Sequence, residues 1–176
     1  PNINGGVSKI LADSSNVPFY PNLGITDQQF PLSRPVIGRS QSNDYLFVAF
    51  NATTGEYWPG SSSADSTAYM CGMFMYSSDA GNTWSDPERF TPISTPSLDW
   101  RYVSIVPVSP VNDSIITVHL VMQGDPMPGS NVNSWGGIQS VTAQYYHFST
   151  EPPLVNVQNE PKPFSSFNLE QNYPNP

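Results

Sequence analysis

Proline and glycine interrupt this chain so often that no stretch of about 15 residues keeps a helical apolar period. There are 19 prolines and 12 glycines in 176 residues. Between the breaks lie short runs rich in β-branched and aromatic residues, bounded by Pro, Gly, Asn, Asp or Ser, which is the pattern of strands joined by turns. The runs are Val7–Ala12, Pro35–Ser40, Tyr45–Asn51, Met70–Ser77, Trp84–Phe90, Arg101–Val108, Ser114–Met122 and Val141–Phe148. An all-β fold is therefore expected. Tyr45-Leu-Phe-Val-Ala-Phe50 is apolar on both faces, so its sheet is expected to lie between two others.

The length suits one domain with its own core. Charged residues make up 11% of the chain, against about 25% in an average soluble domain. The net charge is −8, and six residues are basic: Lys9, Arg34, Arg39, Arg89, Arg101 and Lys162. No cluster of these can neutralise phosphates, so nucleic acid is excluded as an expected partner. The apolar runs are strand-sized, and no membrane-spanning helix is expected. Cys71 is the only cysteine; it sits in an apolar run and reads as a buried thiol. The opening Pro-Asn-Ile-Asn has neither a start Met nor a signal peptide, so a true N-terminus upstream is expected.

A weak internal repeat organises the middle of the chain. Ser33-Arg34-Pro35-Val36-Ile37 opens one set of strands and Trp100-Arg101-Tyr102-Val103-Ser104-Ile105 the next, which makes Arg34 and Arg101 equivalent, each opening the first strand of its set. Each set reads as a four-stranded antiparallel blade, and stacked blades bury both faces of each sheet. The expected fold is a partial β-propeller. Residues 1–32 end a preceding blade, 33–92 and 93–150 form two blades, 151–166 a proline-rich irregular linker and 167–176 a distinct tail. Leu154–Val157 reads as a short outer strand or as linker.

Two motifs carry family meaning. Ser77-Ser-Asp79-Ala-Gly81-Asn-Thr83-Trp84 fits S-x-D-x-G-x-T-W. Asp79 can accept backbone N–H bonds of the turn, Gly81 can supply a positive φ, and Trp84 can cover the turn and donate its indole N–H. The pattern resembles the Asp box, or bacterial neuraminidase repeat, of sialidases and many non-enzymatic propellers. In that family it joins the third and fourth strands of a blade and is a folding element. Phe167-Asn-Leu-Glu-Gln-Asn-Tyr-Pro-Asn-Pro176, with its L-x-Q-N-Y-P-N-P run, resembles the opening of the C-terminal sorting domain of type IX secretion in Bacteroidetes and their relatives. That resemblance implies export by the secretion machinery to the extracellular space or outer-membrane surface of a Gram-negative bacterium. Two blades and part of a third cannot close a ring, so the chain is expected to be a fragment or one of several chains closing a ring.

The Asp-box turn would lie at one end of a blade, and the long loops at the other. Residues 52–69 carry Glu56, Tyr57 and Trp58; residues 123–140 carry Asp125 and Trp135; and Asp99-Trp100 precedes Arg101. Long loops with aromatic residues on a rigid scaffold are usual places for binding. Tyr57, Trp58 and Trp135 could stack on sugar rings or pack their loops. Arg34 and Arg101 could clamp a carboxylate or pair with neighbouring acids. His119 and His147, inside apolar strands, read as core or inter-blade residues. No local spacing of metal ligands or phosphate-binding glycines occurs, so neither metal nor cofactor is expected. Asn51-Ala-Thr53 and Asn112-Asp-Ser114 fit the N-glycosylation pattern. The leading expectation is a secreted or cell-surface module binding glycan or protein through its long-loop face. The alternatives are a sialidase-type exo-glycosidase, for which no complete active site is visible, and a structural surface-layer domain.

Overall fold

A computed structural model describes residues 10–17, 32–42, 44–57, 68–95, 97–112, 115–128, 142–153 and 170–171. Within them the chain is all-β, with no helix. The first sheet is built from β1 (Leu32–Ser40), β2 (Leu46–Tyr57), β3 (Ala68–Ser77) and β4 (Glu88–Arg89), each antiparallel to the last. The second contains β5 (Asp99–Ile105), β9 (Val118–Asp125), β10 (Gln144–Thr150) and β11 (Glu170–Gln171), in that spatial order and also antiparallel. Between β5 and β9 the chain makes β6 (Val108–Ser109), β7 (Val111–Asn112) and β8 (Ile115–Ile116). β6 crosses to the first sheet and pairs parallel with β1, while β7 and β8 form a small ribbon. The crossing is fixed by backbone bonds from Arg39 N to Pro107 O (3.0 Å) and Gln41 N to Ser109 O (2.9 Å).

The two sheets pack face to face. Phe47, Ala49 and Phe74 of the first meet Trp100, Val103, Leu120, Met122 and Phe148 of the second in one apolar cluster. Trp100 makes edge-to-face contacts with Tyr146 and Phe148 at 4.9 and 5.5 Å, a geometry that adds to the area it buries. β3 is the best-buried strand, which its unbroken apolar sequence AYMCGMFMYS dictates. Gly72 lets the sheets approach there: a Cβ would stand 2.5 Å from both Met122 Sδ and Phe90 Cζ.

The other face of the first sheet, with Phe50, Cys71, Met73 and Met75, is also covered. Among the described residues its cover is not a second sheet but residues 10–17, through Leu11, Ala12 and Val17, together with Trp84. Residues 10–12 of the expected strand Val7–Ala12 are not extended into a sheet, and residues 7–9 lie outside the described residues. Asp13 instead folds the chain back, accepting Ser15 N (2.7 Å) and Ser15 Oγ (2.6 Å).

Other strands also differ from their expected spans. Trp84–Phe90 contributes only Glu88–Arg89. Proline at 87 has no N–H to donate, and Tyr76 N donates to a side chain, Ser85 Oγ (3.1 Å). Arg101–Val108 divides into β5 and β6, where the chain changes sheets. Leu154–Val157 lies outside the described residues, as does most of the tail.

Candidate binding site at the loop-bearing end

The turn Ser77–Trp84 closes one end of the first sheet. The Asp79 carboxylate accepts Thr83 N (2.8 and 3.0 Å), Thr83 Oγ1 (2.6 Å) and Ser77 Oγ (2.8 Å). Ser77 Oγ accepts Gly81 N (2.8 Å), and the Trp84 indole donates to Gly81 O (3.1 Å). Ala80 and Gly81 both have positive φ, at 56° and 94°. The bonds from Thr83, first from its hydroxyl and then from its backbone, hold the Asp79 carboxyl down at about 2. Ala80 N also reaches Asp44 O (3.1 Å), so the β1–β2 and β3–β4 turns share this end.

A different chemistry occupies the opposite end, where β2 finishes, β3 and β5 begin and β9 finishes. Asp99 and Asp125 face each other across β5 and β9. Asp99 is fully buried and Asp125 8% exposed. Asp99 accepts Met70 N (2.7 Å) and is ion-paired to Arg101 Nε. Desolvation nevertheless outweighs Arg101 and pushes the Asp99 carboxyl up to about 6, with Asp125 adding to the rise. Burial raises Asp125 as well, opposed by the bond from Met127 N (2.9 Å) and by Arg101. Tyr69 stands beside them, and its hydroxyl donates to Pro126 O (3.4 Å). Desolvation, then Asp99, Glu56 and Asp125, raise its phenol, so it stays neutral as a hydrogen-bond donor. Glu56 is exposed on the rim, where it accepts Ser97 Oγ (2.5 Å). Gly55, at φ 79°, makes the bend that carries Glu56 there.

The structure thus gathers Glu56, Asp99, Arg101 and Asp125 and adds Tyr69. No local spacing marks Tyr69 as a member; it arrives through strand register. Trp100 belongs to the core, 1% exposed, and is not a surface for a ligand. The Tyr57 side chain, Trp58 and Trp135 lie outside what is described. The strand ends that flank residues 58–67 and 129–141 do lie at this end, since Tyr57 pairs with Ala68 and Gln144 with Gly124. Beneath them Arg101 Nη2, Trp100 Nε1 and Asn51 Oδ1 are buried with no hydrogen-bond partner among the described residues. Asn51 Nδ2 donates to Trp100 O (2.7 Å), so this asparagine ties the sheets together and offers no surface for a glycan.

The repeat has a different register from the one its sequence suggests. Both first strands carry a β-bulge, between Ser33 and Val36 in β1 and between Arg101 and Ser104 in β5. The positive-φ residue is Arg34 (54°) in one and Tyr102 (58°) in the other. Arg34 therefore corresponds to Tyr102, and Arg101 to Ser33. The two bulge residues meet, with the Arg34 guanidinium 4.4 Å from the Tyr102 ring centroid. The sequence alignment misses this because it matches residue types, whereas the correspondence is set by where each strand bulges.

Cys71 is buried, and desolvation pushes its thiol up to about 11, which makes it unreactive. No helix among the described residues is long and apolar enough to cross a membrane. No family model, curated protein or solved structure matches this chain.

Proposed function

We propose that this chain is part of a secreted or surface-displayed β-propeller that binds a neutral glycan at the Glu56–Asp99–Asp125 end. Two four-stranded meanders stacked face to face support reading the sheets as successive blades. The observation that carries the ligand class is the carboxyl group of Glu56 on the rim, above the buried pair Asp99 and Asp125. Carboxylates accept sugar hydroxyls and repel an anionic sugar. The sequence supplies Tyr57, Trp58 and Trp135 in the adjoining segments for stacking on a pyranose face.

The sialidase-type alternative needs arginines available to a substrate carboxylate. Arg34 is stacked on Tyr102 and Arg101 is paired with Asp99, which disfavours it. Screening the chain on an array of neutral and sialylated glycans tests the reading. Binding to neutral glycans that weakens about tenfold or more on Glu56→Gln and on Trp58→Ala is expected. Binding confined to sialylated glycans, or indifferent to both substitutions, overturns it.

A further inference from the structure

The chain has two histidines in all, 28 residues apart, and the fold brings them together. In the β9–β10 ladder His119 stands opposite Ser149 and His147 opposite Val121, so the two are diagonal neighbours on one face. That face points away from the core. Along β9, buried Val118, Leu120 and Met122 alternate with His119 and Val121, which are exposed. The histidines are therefore not core residues. Their rings lie 25° from parallel with centroids 5.0 Å apart, and His119 Nδ1 is 2.9 Å from His147 Nε2.

We propose that His119 and His147 chelate a divalent transition-metal ion, copper(II) and nickel(II) in preference to zinc. Neutral imidazole is a good ligand for all three ions. Two metal–nitrogen bonds of about 2.0 Å set about 90° apart span about 2.9 Å, whereas a tetrahedral angle requires about 3.3 Å. The separation found here thus lies nearer to cis positions of a square-planar or octahedral ion than to those of tetrahedral zinc. Neighbouring strands of one ladder hold both ligands, so little rotamer freedom is lost on binding. In the metal-free pair one of the two facing nitrogens carries a proton. On chelation that proton passes through water to the other nitrogen of the same ring, and both facing nitrogens become donors. A neutral pair therefore releases no net proton. Water completes the coordination, because no group of three or more histidine, cysteine, aspartate or glutamate side chains among the described residues is placed to hold an ion. The proposal does not depend on the glycan reading.

The test is titration of the 176-residue chain with copper(II), nickel(II) and zinc(II), followed by calorimetry and by the nitrogen hyperfine pattern of bound copper. One site with two nitrogen donors is expected, with affinity in the order copper, nickel, zinc. Either His119→Gln or His147→Gln should weaken copper binding by about tenfold or more, because it converts a chelate into a single ligand. The double variant should lose little beyond either single one. Far-ultraviolet circular dichroism should be unchanged, since both side chains face outward. Absence of copper binding by the wild-type chain, binding that survives both substitutions, or losses that simply add would each overturn the proposal.

Discussion

Aspartates in this chain divide by whether their partners are local. Asp79 receives every bond it makes from residues within four positions, so its role is written in consecutive letters from Ser77 to Trp84. Replacing it with alanine leaves Thr83 N and Ser77 Oγ without their acceptor. Asp79→Ala should destabilise the fold, read as a lower urea midpoint at unchanged slope. Asp99 and Asp125 are the opposite case. Their pairing, 26 positions apart, follows from the β5–β9 register, and nothing near either residue announces the other. That difference in range explains why the turn was legible in the sequence and the acidic site was legible only in part. Glu56, Asp99, Arg101 and Asp125 stood out as loop-end polar residues, whereas Tyr69, and the pairing of Asp99 with Asp125, emerged only when strands had neighbours.

Strand positions were readable from apolar runs and breakers, and the middles of β1, β2, β3, β9 and β10 fall inside the expected spans. Ends and interruptions were not, because they depend on backbone geometry that side-chain pattern does not encode. The bulges in β1 and β5 occupy equivalent places, and superposing them sets Arg34 against Tyr102, out of correspondence with Arg101. Tight approach between the sheets is another such property. Gly72 lies within β3 in a run of large residues, where glycine weakens a strand unless something must come close. Here Met122 and Phe90 do. Gly72→Ala should destabilise the fold by about 1–3 kcal/mol through overpacking, measured as a fall in thermal midpoint. A neutral or stabilising result would show that the Phe90 ring swings clear.

For the molecule as a whole, the carboxyls set opposing dependences on pH. Asp99 at about 6 and the raised Asp125 hold protons that their unfolded counterparts release near 3.8, so they favour folding at low pH and lose that effect as pH rises from about 4 to 6. Asp79, held at about 2, favours folding above about 4 and loses its effect as pH falls towards 2. A chain of net charge −8 and pI near 4.3 also repels itself less as it approaches neutrality. Stability should therefore peak on the acid side, between about pH 4 and 5, and decline towards neutrality. Asp125→Asn keeps the acceptor for Met127 N and removes the like charge opposite Asp99. It should raise stability at pH 7 by about 0.2–1 kcal/mol and flatten the decline, as urea unfolding across pH would record. An unchanged pH profile would mean that the two carboxyls do not sense each other. The strand order also bears on time. Hairpins complete the core of the first sheet from near neighbours in the chain, but the outer edge of the second waits for Glu170–Gln171. At about 5–20 residues per second of synthesis, β10 has an open edge for one to a few seconds before its neighbour is made. Whatever shields that edge in the interval decides whether the nascent chain meets its own last strand or another chain's first.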